Sequence, residues 1–265
     1  MPQAKSRSGK SPSRHNYSAP ALEKGIDIVE LLAEAESGLT VSEISEKLGR
    51  SMSELFRIIV VMERRGWLLK DPETSRYALT YHVLRLAHRG TPTRTLTAAA
   101  LPVMHELSTR IDHSCHLVVR SGTQGLVILR HENQKRHANL SVRLGAVIEL
   151  VSSCSGYVLL ANLRAEERER LVQSMSRTQR AAFAKLATSL EQIRKRGFEV
   201  QDSFVTAGVT DISSPVRGFD GAVVAALTIP YLHVRDRSLP TTVEQTRRLL
   251  QAATRDISRS LGWSE

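Results

Sequence analysis

The stretch TVSEISEKLGRSMSELFR, Thr40 to Arg57, carries one small pattern twice, and that repetition decides the first domain. Thr40 and Ser51 are each followed three positions later by a glutamate, Glu43 and Glu54. At the start of a helix, such a hydroxyl accepts a hydrogen bond from the backbone N–H three residues on, while the glutamate reaches back to the first residue's own N–H. Each pair therefore predicts a helix start. Gly49 closes the first helix after about two turns, because glycine enters the left-handed terminus at little cost. The second helix is expected from Ser51 to about Arg65. Its buried stripe is Leu55, Ile58, Ile59 and Met62, and Ile44 and Leu48 supply the inner face of the shorter helix. So tight a connection forces a large crossing angle, the helix-turn-helix arrangement, with the second helix presented outward.

Working outward, an amphipathic helix is expected from Leu22, with Leu22, Ile26, Val29 and Leu32 inward and Glu23, Lys24, Asp27 and Glu30 outward. After Gly66, the runs Trp67 to Lys70 and Arg76 to Leu79 flank a turn-rich Asp71 to Ser75 and read as a β-hairpin. Three helices and a hairpin make a winged helix-turn-helix. Residues 81 to 111 read as an interrupted helical region, broken by Gly90, Pro92 and Pro102.

Beyond it the period changes to that of strands. His116 to Arg120 and Leu126 to Arg130 form a hairpin through Ser121 to Gly125, and Ala138 to Arg143 and Val147 to Val151 follow as strands. Helices are expected over Ser155 to Leu163, Ala165 to Gln173 and Ala181 to Arg196. Strands Thr210 to Val216 and Ala222 to Tyr231 and a last helix, Thr241 to Leu261, complete an α+β domain with a helix layer against one sheet.

The 265 residues are enough for two domains with separate cores. No apolar run reaches the length of a membrane span, and the start of the chain lacks the apolar core of a signal peptide, so a soluble, cytoplasmic protein is expected. Only Cys115 and Cys154 are present, which argues against a disulfide framework. The net charge of +10 supports nucleic-acid binding only weakly, because residues 21 to 90 hold ten basic and eleven acidic side chains. Placement matters more than the total: Arg50, Arg57, Arg64, Arg65, Lys70 and Arg76 gather on the second helix and its continuation.

The segments ALEKGIDIVELLA, LTVSEISEKLGRSMSELFRIIVVMERRGWL, SGYVLLANL and GFEVQDSFVTAGVTDISSPVRGFDGAVVAALTI, in that order and spacing, resemble a bacterial transcription regulator of the IclR family from about Tyr17 onward. The resemblance implies a winged helix-turn-helix, a linker helix and a GAF- or PAS-like α/β effector-binding domain, assembled as dimers or tetramers on operator DNA. It divides the chain into a basic disordered arm over 1–18, a DNA-binding domain over 19–80, a linker helix over 81–100 and an effector-binding and oligomerisation domain over 101–265. Two departures stand out. Phe56-Arg57 replaces the family's usual Tyr-Arg pair, and Asp211 stands where many members carry Cys or another small residue.

In the first domain, Arg50, Ser51, Met52, Ser53, Glu54 and Arg57 lie on the leading edge of the second helix, where side chains enter the major groove and distinguish base pairs. Arg76 and the basic arm are expected on phosphates, which position without selecting sequence. The competing reading is a solvated helix face in a protein-binding winged helix. In the second domain, Ser152, Ser153 and Cys154 run from a strand into a helix, whose free N–H groups suit an anion. By resemblance, Asp202, Asp211 and Thr228 face the effector from the other side. Hydroxyls and amides suit a small organic acid, whereas two aspartates favour a hydroxylated, sugar-derived or neutral catabolite. The plainer reading is that these hydroxyls satisfy backbone groups.

An enzyme is disfavoured. Cys154 and Ser155 lack a nucleophile elbow and a general-base motif. Cys115, His116 and His131 suggest a metal, but neighbouring strand residues point to opposite faces, and no cofactor is expected. His113 and His137 read as surface residues. An architectural DNA-binding protein without an effector, or an enzyme fused to a winged helix, are the alternatives.

Overall fold

The computed structural model describes residues 18–90, 93–133, 140–234 and 239–264. The basic arm and His137 lie outside the described residues, and each of two compact units, divided between Thr91 and Pro92, is taken by itself.

In the first unit, helices α1 (Pro20–Ala33), α2 (Val41–Leu48) and α3 (Met52–Arg64) precede a hairpin of β1 (Leu68–Lys70) and β2 (Tyr77–Leu79), and α4 (His82–Gly90) follows. The capping box at Thr40 is closed: the Thr40 N–H donates to Glu43 Oε2 at 2.7 Å and the Glu43 N–H donates to Thr40 Oγ1 at 3.3 Å. Gly49 ends α2 in the left-handed region, at φ 60°. The second box does not close in the same way. Ser51 caps α3 by backbone geometry alone, its hydroxyl 3.4 Å from that of Ser53, because Glu54 turns instead to the ammonium of Lys24 on α1.

The core gathers Ile28 and Leu32 of α1, Ile44 of α2, Leu55 and Ile59 of α3, and Tyr77 of the hairpin. The expected inner face of α1 was rotated: Leu22 and Ile26 are exposed, and Ile28, Leu31 and Ala35 pack with Leu32 instead. Gly25 lies on the side of α1 that faces Ile58 and Met62 of α3, where even a Cβ would make only ordinary contact, so packing of the larger side chains and not the glycine sets the face.

The second unit is built on a six-stranded antiparallel sheet in the order β5-β4-β3-β8-β7-β6, formed by β3 (Cys115–Ser121), β4 (Gln124–His131), β5 (Val147–Glu149), β6 (Glu199–Asp202), β7 (Val209–Arg217) and β8 (Val223–Leu232). Side chains alternate across it. One face, with Leu117, Ile212, Ala225 and Leu227, packs on α5 (Thr93–Ile111) and α10 (Val243–Ser260). The other, with Val118, Val127 and Ala226, packs on α6 (Cys154–Ala161), α7 (Ala165–Ser174) and α9 (Ala187–Arg196). Helices thus cover both faces, where one layer was expected.

Other departures have local causes. Pro102 lies inside α5 without ending it, since it sits on the exposed side while Ala100 and Met104 keep the buried side packed. The helix expected over 181–196 is two, α8 (Arg177–Lys185) and α9, divided where Leu186 turns toward the core. Of the strand expected over 138–143, residues 138–139 are outside the described residues and 140–143 are irregular. The edge strand β6 went unread because Glu-Val-Gln-Asp carries too little apolar alternation.

His113, expected at the surface, is buried at 5% exposure; it stacks on Tyr231 with ring centroids 4.4 Å apart. No helix among the described residues is long and apolar enough to cross a membrane.

Candidate functional site

The first candidate surface is the outward side of α3. Arg50, Ser51, Met52, Ser53 and Arg57 are all exposed, as the loop at Gly49 and the inward anchors Leu55 and Ile59 require. Glu54 is half-buried and ion-paired with Lys24, which holds its carboxyl below the usual carboxylate range. It braces α3 on α1 and is not free to accept from a base.

Arg76 also departs from expectation. Its guanidinium donates to Glu43 Oε1 at 2.9 Å, to Glu43 Oε2 at 3.1 Å and to the Gly38 carbonyl at 2.8 Å. A forked carboxylate partner plus a carbonyl occupies most of its donor set, so Arg76 ties the hairpin to the α2 capping box and is not a free phosphate contact.

The second candidate lies on the α6 side of the sheet, as a cavity of about 550 Å³. Ser152, Ser153, Cys154, Asp211 and Thr228, nominated from distant parts of the sequence, all line it. Alternation brings them together: Asp211 on β7 and Thr228 on β8 point to the same face as His116 on β3, which stands beside Thr228 across the β3–β8 ladder. Asp202 does not join them. It is opposite Thr210, on the other face of the sheet, and its carboxylate accepts from the Thr210 hydroxyl at 3.4 Å. Strand pairing decided this, and strand pairing was the part of β6 the sequence concealed.

The junction before α6 shapes one wall. A single 3-10 turn, Leu150–Ser152, leads into Ser153, whose hydroxyl donates to the Glu149 carbonyl at 2.8 Å and accepts from the Gly156 N–H at 3.1 Å. Ser153 is therefore largely spent on capping. The Cys154 thiol is buried and faces the carbonyls of Glu199 and Asp211, at 3.6 and 3.4 Å. Burial first, and then the charges of Asp211 and Glu199, push its pKa well up, so it is an inert thiol and no nucleophile. Thr228 shares a 2.9 Å hydrogen bond with Ser213.

The electrostatics of the cavity are uneven. Burial raises the Asp211 pKa, against an opposing hydrogen bond from Ser203. Burial lowers that of His116 to about 4, so its imidazole is neutral near pH 7. Among the described residues lining the cavity, none is Lys or Arg. Ser141, in the irregular segment 140–143, lines the cavity with a buried hydroxyl that has no partner among the described residues. The apolar wall comes from Leu140, Val142, Ile148, Val205 and Pro230. His116, Ser141, Glu149 and Ser203 were not read as pocket residues, and only the alternation of β3 signalled one of them, His116. Cys115 and His116 do point to opposite faces, and His131 pairs with His105 at 3.2 Å.

Two family models match the chain. The one described as "Bacterial transcriptional regulator IclR C-terminal" covers residues 90–259, and "IclR helix-turn-helix domain" covers residues 21–72. The chain is 27% identical to the HTH-type transcriptional regulator XynR of Escherichia coli K12 over 250 residues, 92% of this chain and 97% of the relative. It is 26% identical to the HTH-type transcriptional repressor AllR of the same organism over 263 residues, 97% of this chain and 95% of that one. Among solved structures, an IclR homolog from Microbacterium hydrocarbonoxydans complexed with 4-hydroxybenzoate shares the fold at TM-score 0.73 and 24% identity, covering 91% of this chain and 98% of that one. Pseudomonas aeruginosa HmgR gives TM-score 0.71 at 26% identity, covering 92% of this chain and 100% of that one.

Proposed function

The chain belongs to the IclR family of bacterial transcriptional regulators, and from that premise we propose how its own residues divide the work. It is a DNA-binding regulator modulated by a small effector, and the relatives it matches are regulators rather than enzymes. Residues 19–80 read the operator through Arg50, Ser51, Met52, Ser53 and Arg57, with Glu54 bracing the reading helix on α1 and Arg76 tying the hairpin to α2. Residues 81–100 link this reader to residues 101–265, which bind the effector and assemble the chain as a dimer or a dimer of dimers in the cytoplasm. A two-fold assembly matches a partly palindromic operator, and effector binding shifts the population among spacings of the paired readers.

The observation that carries the effector reading is the convergence of Ser152, Ser153, Cys154, Asp211 and Thr228 on one cavity. The effector is a small catabolite with an apolar body that brings a hydroxyl or N–H to Asp211. If it is an organic acid, its carboxylate lies away from Asp211, toward the α6 end and its hydroxyls, since two carboxylates side by side repel. Thermal-shift screening of catabolites tests this reading. A true ligand stabilises the wild-type chain, loses at least tenfold in affinity with Asp211→Asn, and is indifferent to Asp202→Ala. Equal binding by wild type and Asp211→Asn would misplace the pocket.

A further inference from the structure

Beside the arginine and serine of its outward face, the leading half of α3 displays two large apolar side chains that the fold does not use, while a third exposed one, Val61, lies in its trailing half. Phe56 and Met52 are each 52% exposed, and neither joins the core of the first unit. They are four residues apart and so lie one above the other on the same side of the helix. Ser53 and Arg57 have the same spacing, one residue further round, and are also exposed. The four together form a row along the leading half of α3, apolar on one flank and polar on the other. Isolated exposed apolar residues are ordinary, but an aligned pair at the tip of a major-groove helix is matched to a definite chemical feature. The only apolar group that a base pair displays in the major groove is the 5-methyl of thymine.

Resting on the reading of α3 as the operator-contacting helix, we propose that Phe56, supported by Met52, is a specificity-determining residue that packs on the 5-methyl group of a thymine in each operator half-site. The neighbouring Arg57 reaches the adjacent base edge or phosphate. The occupant is duplex DNA rather than a second copy of this chain, because Arg50 and Arg57 border the apolar pair and no described carboxylate pairs with either, which suits a polyanion. Glu54, the acidic group nearest them in sequence, is ion-paired with Lys24, and the charge of Arg50 acts on it only as a secondary influence.

The test begins by selecting duplexes from a random pool with the full chain, then replacing each thymine of the selected half-site singly by deoxyuridine, which removes only the methyl group. At fixed salt, one or two positions are expected to lose about fourfold in affinity, the worth of one buried methyl. Phe56→Ala is expected to weaken the parent duplex by a similar or larger factor and to abolish the response to that deoxyuridine. Phe56→Leu retains part of it. The salt dependence of binding stays unchanged in both, since no charge is removed. The proposal is overturned if no thymine responds to loss of its methyl, or if Phe56→Ala responds as wild type does. Failure to select any duplex is a different failure, that of the DNA-reading assignment itself, and it takes this inference down with it. A fall in self-association with unchanged thymine discrimination assigns the pair to a protein contact and also overturns it.

Discussion

A single histidine shows how burial alone sets a pH response. His116 lines the same cavity as Asp211 and Glu149, and desolvation brings its pKa from the ordinary 6.5 to about 4. Protonation is then disfavoured in the folded chain relative to the unfolded one, so the stability contribution is complete above about pH 6.5 and is lost as pH falls toward 4. The difference corresponds to about 3 kcal/mol, taking 1.36 kcal/mol for each tenfold change in proton affinity. Urea unfolding followed from about pH 7 down to about pH 4 should show a shallower loss in His116→Gln than in wild type. Identical slopes would mean that the imidazole is not held neutral by burial. The sequence displayed His116 only as a possible metal ligand, because its place beside Thr228 and on the same cavity as Asp211 is set by strand register. The open box at Ser51 and the placement of Asp202 away from the cavity have a related cause: Glu54 is taken by Lys24 and Asp202 stands opposite Thr210, partners that local pattern does not announce.

Single elements were easier to read than their partners. The closed box at Thr40, the turn at Gly49 and the hairpin were legible because capping and left-handed glycine are local chemistry. The face of α1 was not, since Leu22, Ile26 and Ile28 are all apolar and only packing against Ile58 and Met62 selects among them. The junction into α6 gives the sharpest test at this scale. A Cβ on Gly156 would collide with the carbonyl oxygen and Cα of Leu150 and with the hydroxyl of Ser153, a residue of the cavity wall. Gly156→Ala should therefore cost about 1–3 kcal/mol by overpacking and also weaken effector binding. Calorimetry with and without a stabilising catabolite checks both. An alanine variant with unchanged melting and unchanged ligand response would show that the turn is not the rigid part claimed.

The whole chain holds separate cores, one in the first unit and one on each face of the sheet in the second. The class and most of the strands and helices were legible in the sequence, whereas β6, the break between α8 and α9 and the second helix layer were not, because each depends on long-range packing. Separate cores make a prediction about function. Ile59→Ala, in the core of the first unit, should cost about 2–5 kcal/mol there and abolish operator binding. The thermal shift produced by a cavity ligand should persist in the same variant. Loss of both activities together would mean that the two units do not fold as independent cores.

The link between cavity and reader is tested most directly by operator affinity. A catabolite that stabilises the chain is added to wild type and to Asp211→Asn, and the Kd for a selected operator duplex is measured at one salt concentration by fluorescence anisotropy. The account predicts a shift of about tenfold or more in wild type, the lower part of the usual coupling range, and a much smaller one in Asp211→Asn at the same ligand concentration. A stabilising ligand that leaves the operator Kd unchanged, or shifts it equally in both proteins, would contradict it.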